Sequence, residues 1–227
     1  HRIRSKALMI AIGVNPDGRK EVLGFDIYDA EKINTWKSFF EGLKNRGLRG
    51  VDLVISDSHK GLVESIKECF PGASWQRCQA HFSRNILDKC PKKYMSGLAS
   101  ELTAMFNSST LEESRRLKNA IIEDYQDVAL AAVQTLDEGF EDAMTIMYLP
   151  MKYRQTLRTS NIVERENREI RKREKVIQIF PNVESALRLL GAVLMDDHND
   201  WSTRHRLFDM TEYYGKSTEI KRRWGAA

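Results

Sequence analysis

The chain has 227 residues, 41% of them hydrophobic and 30% charged, with a formal net charge of +4 from 36 basic and 32 acidic residues. That balance describes a folded, soluble chain and excludes a disordered one, and with no run of 18 or more apolar residues it excludes a membrane-spanning helix. Three cysteines, Cys69, Cys78 and Cys90, argue against a disulfide scaffold and fit a reducing cytoplasm. The length predicts one domain, or one domain with a large insertion.

The chain opens on His-Arg-Ile-Arg-Ser-Lys, without Met, and enters an apolar run almost at once. Such a start is expected of a cut through a longer protein. Residues 7–14, Ala-Leu-Met-Ile-Ala-Ile-Gly-Val, predict a strand buried on both faces. Asn15-Pro16-Asp17-Gly18 is a turn, and residues 21–28 predict the returning strand of an antiparallel hairpin. Ile33, Trp36, Phe39, Phe40 and Leu43 have helical spacing over 30–46, with Gly47 as the stop. A strand at 51–56 ends at Asp57, a helix covers 59–69, Pro71-Gly72 turns the chain, and a short strand at 74–78 leads into a helix around His81. Alternation of strand and helix implies parallel strands with crossovers, and a hairpin feeding them predicts one mixed sheet of the α/β class.

From Pro91 to Pro150 every apolar spacing is helical, as in Leu98, Leu102 and Met105, then Ile121 and Tyr125, then Val133, Leu136 and Phe140. This block reads as an all-α insertion. A highly charged helix is predicted over 160–175, and another begins after Asn182, a good N-cap, with Val183, Ala186, Leu187, Leu190 and Leu194 as its inward stripe. The expected division is 1–90 core, 91–150 insertion, 151–200 remainder of the core, and 201–227 a loose tail.

The charge is unevenly placed. Between Met151 and Lys175 stand nine basic residues, Lys152, Arg154, Arg158, Arg165, Arg168, Arg171, Lys172, Arg173 and Lys175, against Glu164, Glu166, Glu169 and Glu174. That segment is +5, so the other 202 residues sum to −1. Glu164, Arg168, Arg171 and Lys175 share one helical stripe. A carboxylate at the head of a basic stripe suits a metal-bound phosphodiester beside a phosphate track. Two plainer readings stand beside it: a solvated helix laced with Glu–Arg pairs, and a capping box joining Asn161 to Glu164.

Asp57 follows an apolar strand at its carboxyl end, where open α/β sheets bind ligands. It suits either a hard oxygen ligand for Mg2+ or the cap of the next helix. Cys78-Gln-Ala-His81 has metal-ligand spacing but supplies two ligands where structural zinc takes four, and His198 and His205 are weak candidates to complete it. Core packing with a hydrogen bond is the favoured use of the pair, and nothing orients Cys78 as a nucleophile.

Four segments together resemble the catalytic domain of Mutator-type transposases of bacterial insertion sequences. They are Ala11-Ile-Gly-Val with Lys20-Glu-Val-Leu-Gly-Phe; Leu53-Val-Ile-Ser-Asp-Ser-His-Lys-Gly-Leu62; Trp75-Gln-Arg-Cys-Gln-Ala-His-Phe-Ser-Arg-Asn85; and Arg158-Thr-Ser-Asn-Ile-Val-Glu-Arg165 followed by Ile179-Phe-Pro-Asn182 and Ser185-Ala-Leu-Arg188. Their order and spacing cover residues 7 to 200.

The resemblance implies a ribonuclease-H-like mixed sheet with an all-α insertion, and a DDE polynucleotidyl transferase that cuts element ends and joins the freed 3′-hydroxyl to target DNA. By position Asp57 is the second catalytic and metal-binding acid and Glu164 the third. Two Mg2+ ions about 3.5–4 Å apart, with Mn2+ as a substitute, are the implied cofactors. The candidate DNA contacts, read from the charged helix and its approach, are Arg154, Arg158, Asn161, Arg165, Arg168, Arg171, Lys172 and Lys175, while Cys78 and His81 form a family motif assigned to structure. The partners are the terminal inverted repeats and target DNA, with a homodimer or higher synaptic complex, no membrane, and action at the nucleoid in the cytoplasm.

One departure matters. The family's first Asp lies on a strand upstream of the hairpin, and neither Asp17, Asp26 nor Asp29 occupies that position. The sheet is therefore expected to lack its first strand, and the chain alone is expected to be inactive and poorly stable. The competing functions are a non-catalytic DNA-binding remnant and another ribonuclease-H-like nuclease.

Overall fold

The computed structural model describes residues 6–177 and 180–225. The first five residues and Ile179 of the motif quoted above lie outside the described residues. In chain order the elements are β1 (Ala7–Val14), β2 (Lys20–Tyr28), α1 (Ile33–Asn45), β3 (Leu53–Ser56), α2 (Lys60–Cys69), β4 (Ser74–Arg77), α3 (Gln79–Leu87), α4 (Lys92–Phe106), α5 (Leu111–Tyr125) and α6 (Leu130–Met144). A 3-10 turn at Thr145–Tyr148 follows, then α7 (Met151–Leu157), α8 (Asn161–Ile177), α9 (Val183–Thr203) and α10 (Thr211–Gly225).

The expectation of one mixed sheet is corrected. β1 and β2 form an antiparallel pair, β3 and β4 a parallel pair, and no ladder joins the two pairs among the described residues. Strand–helix alternation fixes the parallel direction of β3 and β4 but not which edges hydrogen-bond. The chain divides into two compact units: His1–Val51, His59–Gly72 and Asn161–Gly215 form one, and Asp52–Ser58, Ala73–Ser160 and Lys216–Ala227 the other.

The first unit is built on the hairpin. Ala11 pairs with Gly24 and Ile12 with Val22, so Leu23 is the extra residue of a β-bulge. The bulge lets Val22 join Phe25 and Ile27 on one face. Together with Leu8 and Ile10 they pack against Ile170 of α8 and Leu190, Val193 and Leu194 of α9. Asn182 caps α9 as its sequence predicts, accepting from Ser185 N at 2.8 Å. α1 starts at Ile33, three residues later than its apolar spacing suggests. The Thr35 hydroxyl takes the Lys32 N–H at 2.9 Å and donates to the Ala30 carbonyl at 2.8 Å, holding 30–32 outside the helix.

The tail is not loose, which corrects the reading of 201–227. Its segment before α10 docks on the hairpin turn: Leu207 N and Phe208 N both donate to the Gly18 carbonyl, at 2.8 and 3.1 Å. The turn is held open for this by Asn15, whose Oδ1 accepts from Asp17 N and Arg19 N, each at 3.0 Å. Gly18 has φ +80°, and a Cβ there would lie 2.0 Å from the Phe208 carbonyl oxygen. Sequence pattern missed this because the contact is made by backbone, to which hydropathy is blind.

The second unit packs α3–α6 around Phe82, Leu98, Leu102, Met105, Leu136 and Phe140, each at most 1% exposed. Its organising polar residue is Gln76 on β4, fully buried. Gln76 Nε2 donates to the carbonyls of Arg77 and Ala143, both at 2.7 Å, and Oε1 accepts from Ile146 N at 2.7 Å. Nearby, Thr145 Oγ1 donates to the Trp75 carbonyl at 2.8 Å, and Trp224 Nε1 of α10 donates to the Thr145 carbonyl at 3.0 Å.

Two substitutions test this architecture in urea unfolding followed by tryptophan fluorescence. Gly18→Ala should cost about 2–3 kcal/mol from left-handed strain and the clash with Phe208, and an unchanged midpoint would remove the docking of the tail on the turn. Gln76→Leu should cost about 3 kcal/mol, since it strands the buried Ile146 N–H; a neutral outcome would show that the α6 end is held by packing alone.

Candidate functional site at the carboxyl ends of the parallel strands

β3 and β4 run in parallel register from Leu53↔Ser74 to Ser56↔Arg77. The chain one step beyond that last pair is Asp57 on one strand and Cys78 on the other, both within the second unit. Cys78 N donates to the Ser56 carbonyl at 2.7 Å, which extends the ladder to this point. Ser56 Oγ accepts from Trp75 Nε1 at 2.9 Å and donates to the Asp57 carbonyl at 2.7 Å. The backbone of Asp57 is thus positioned by its two neighbours in the sheet, while its residue is exposed. The N-cap of α2 is His59, two residues after Asp57.

The Cys78-to-His81 segment opens α3. Cys78 is fully buried, and its Sγ accepts from both Ser160 N and Ser160 Oγ at 3.3 Å. Gln79 N donates to the Arg158 carbonyl at 2.9 Å. The start of α3 therefore grips residues 158–160, the approach to α8. His198, considered in sequence as a zinc ligand, instead accepts from Val22 N at the β-bulge through Nδ1, at 3.3 Å, within the first unit.

The basic candidates divide by use. Arg154 is half-buried: its Nε donates to the Leu149 carbonyl at 2.7 Å and its Nη1 to the Ser109 carbonyl at 2.9 Å, and burial pulls its pKa down. Arg158 Nη1 donates to Asn107 Oδ1 at 2.6 Å. Both side chains tie α7 and its end to the loop after α4. On α8, by contrast, Asn161, Arg165, Arg168, Arg171, Lys172 and Lys175 are exposed. Lys172 pairs with Glu169 at 2.6 Å, and this bond holds the Glu169 carboxyl below its usual range. Glu164 lies in the first turn of α8 and is half-buried, and Asn161 is itself the first helical residue rather than the cap.

Sequence reasoning missed Glu166. It is 5% exposed, on the inward face of α8 one turn before Ile170. Burial pushes its carboxyl up to about 7, with Asp197 of α9 adding to the rise and Lys20 opposing it. The i, i+4 relation to Ile170 was the available signal: an acid in an inward stripe is either partnered or neutral.

Among the described residues no helix is long and apolar enough to cross a membrane. A family model described as "Transposase, Mutator family" matches residues 1–204. The chain is 46% identical over 203 residues to the transposase for insertion sequence element IS256 in transposon Tn4001 of Staphylococcus aureus, covering 88% of this chain and 52% of that protein. It is 37% identical over 210 residues to the transposase for element ISRM5 of Rhizobium meliloti, covering 92% and 53%. With the transposase for element IS1081 of Mycobacterium tuberculosis the identity is 35% over 193 residues, covering 85% and 46%. The chain spans about half the length of the curated relatives it matches. With a match that takes in both β-strand pairs, the Cys78–His81 segment and all of α8, this chain belongs to the Mutator family of transposases.

Proposed function

We propose that the chain is the DDE catalytic portion of a DNA transposase, which cuts DNA at insertion-sequence ends and transfers the freed 3′-hydroxyl to target DNA. The carrying observation is the family match over residues 1–204. The position of Asp57 at the carboxyl end of a parallel strand pair supports it, because ligands of α/β sheets bind there. An antiparallel hairpin followed by a parallel β–α–β unit supports the further reading of the fold as ribonuclease-H-like, with the helices between Lys92 and Tyr148 as its insertion.

Asp57 and Glu164 are the carboxylates we assign to Mg2+, or to Mn2+ in its place. The donor set fits: both offer hard oxygen atoms, and neither residue is sealed in the core. When bound, paired divalent ions activate the attacking hydroxyl and stabilise the leaving oxygen. The protein's own part is to place these acids and the DNA. Asp57 is set by the Ser56–Trp75 bond, and the exposed cations Arg165, Arg168, Arg171 and Lys175 lay a phosphate track along α8. Arg154 and Arg158 serve this reading indirectly, by bracing the approach to α8. The Cys78–His81 motif is structural, holding residues 158–160 through Cys78 Sγ and Gln79 N. The DNA partners are element ends and target, joined by a homodimer or higher synaptic complex at the nucleoid in the cytoplasm.

In a protein extended upstream of this chain, Asp57→Ala and Glu164→Ala should each lower Mg2+-dependent strand cleavage of element-end DNA by at least about 100-fold while leaving DNA binding in place; undiminished cleavage in either variant would reject its assignment. Cys78→Ala should raise amide hydrogen exchange at Ser160 by about tenfold or more, since the sulfur acceptor is gone. Cys78→Ser, which keeps an acceptor, should restore most of that protection, and exchange in Cys78→Ala equal to that of the unchanged chain would mean that the sulfur holds nothing.

A further inference from the structure

An open cleft of about 1060 Å³ lies in the first unit between the hairpin turn and the segment that links α9 to α10. Its charged lining comes from residues far apart in sequence: Arg19 and Lys20 at the start of β2, then Arg204, His205 and Arg206 after α9. Asp209 is the single acid among the lining residues, and its Oδ1 is engaged in capping α10, accepting from Thr211 N at 3.0 Å and Thr211 Oγ1 at 2.6 Å. The lining therefore carries three net positive charges with His205 neutral.

Three of these cations are set in place rather than loosely splayed. Arg19 Nη1 donates to the carbonyls of Ser202 and Arg204, at 3.0 and 2.5 Å, so its guanidinium closes the carboxyl end of α9 while keeping its charge at the cleft. The Lys20 ammonium stands 4.1 Å from the centre of the Trp201 ring. Arg204 pairs with Asp200 at 2.6 Å, and His205 and Arg206 are exposed. Burial lowers the pKa of Lys20, with Arg165 and Arg204 lowering it further as like charges, while Glu166 and Asp197 counter it. Arg165 on α8 is thus near enough to Lys20 to act on its charge. Such a concentration of like charge is tolerated most easily beside an anion that neutralises it.

The shape selects the class of anion. The cleft is wide and open, with Trp201 itself buried under Lys20, so there is no enclosed apolar pocket for a small ligand and no bare ring for a base. A chain of phosphates, contacted by cations on its rim, fits both facts. We propose that this cleft is a second DNA-backbone site, in which Arg19, Lys20, Arg204, His205 and Arg206 hold consecutive phosphates beyond the track on α8. The proposal rests on the transposase reading above and adds to it a surface outside the carboxylate site and outside residues 151–175.

The test is fluorescence anisotropy of a labelled random-sequence 30-base-pair duplex with the full chain, titrated between 50 and 300 mM salt. The Arg204→Gln/Arg206→Gln variant should bind on the order of tenfold more weakly at 100 mM salt, with the slope of log K against log salt reduced by about 2. Arg206→Gln alone, at an exposed position that leaves the Asp200 pair intact, should reduce the slope by about 1. Slopes equal to that of the unchanged chain in both variants overturn the cleft. If Arg168→Gln/Arg171→Gln then lowers the slope while the cleft variants do not, the cleft fails and the transposase reading stands. If the unchanged chain binds no duplex, both fail. Displacement of the duplex by polyglutamate at equal charge concentration would make the cleft a general anion surface and also overturn the DNA assignment.

Discussion

A two-stranded sheet buries too little to persist in water, so each of the two ladders in this chain depends on the helices that cover it. For β1 and β2 the cover is α8 and α9, and the contact is the cluster of Ile170, Leu190, Val193 and Leu194 on Leu8, Ile10, Val22, Phe25 and Ile27. That single apolar contact decides the rest of α8. Once Ile170 faces the sheet, helical geometry sends Arg168, Arg171 and Lys175 outward, whatever their sequence neighbours. The charged stripe is therefore not a choice independent of the core. It is the other side of the same helix rotation, and any change that rotated α8 by one residue would bury cations and lose the sheet together.

In the second unit the organising contacts are polar. Gln76 and Gln79 both reach the Ala143 carbonyl, at 2.7 and 2.9 Å, where α6 gives way to a 3-10 turn. Buried amides of this kind contribute little net energy when satisfied but are costly when stranded, so they select one arrangement over its near competitors. The arrangement selected here sets β4, and through the register of β3 and β4 it sets Asp57. Cys78 continues the same line by holding Ser160. For a carboxylate proposed as a metal ligand, as Asp57 is above, a fixed backbone matters more than a fixed side chain, because the ion itself orients the oxygens. The hydrogen bonds found around Asp57 act on backbone and neighbours in just that way.

Much of this was legible in the sequence, for physical reasons that can be named. β1, β2 and α9 carry strong periodicity or an N-cap with a plain mechanism, and they fall within a residue or two of expectation. The helices between Pro91 and Pro150 are legible for the same reason. What pattern could not show was any contact made by backbone, such as the Gly18 carbonyl receiving Leu207 and Phe208, and so α10 was hidden in an apparently loose tail. Edge pairing was hidden as well, because alternation says that β3 and β4 are parallel but not where a ladder ends. Asp57 was visible as a position but ambiguous in use, and the structure puts the N-cap of α2 two residues further on, at His59. Glu166 was visible as a charge in a run of charges, and its neighbours' charges concealed that it points inward.

The distribution of positive charge illustrates why composition windows mislead about recognition. The window 151–175 holds the whole excess in sequence, yet two of its arginines are tied to neutral groups of the protein: Arg154 to the Leu149 and Ser109 carbonyls, Arg158 to Asn107. Those bonds brace a segment and fix where the two charges sit. Meanwhile Arg19 and Lys20 sit in a part of the chain with near-balanced charge, some 180 residues from Arg204 and Arg206. The Gly18 carbonyl brings them together by docking the segment after α9 on the hairpin turn. A phosphate backbone responds to the local sum of charges in space, screened over about 8–10 Å at physiological salt. The relevant count is thus made after folding, and in this chain a backbone contact at one glycine carbonyl determines it.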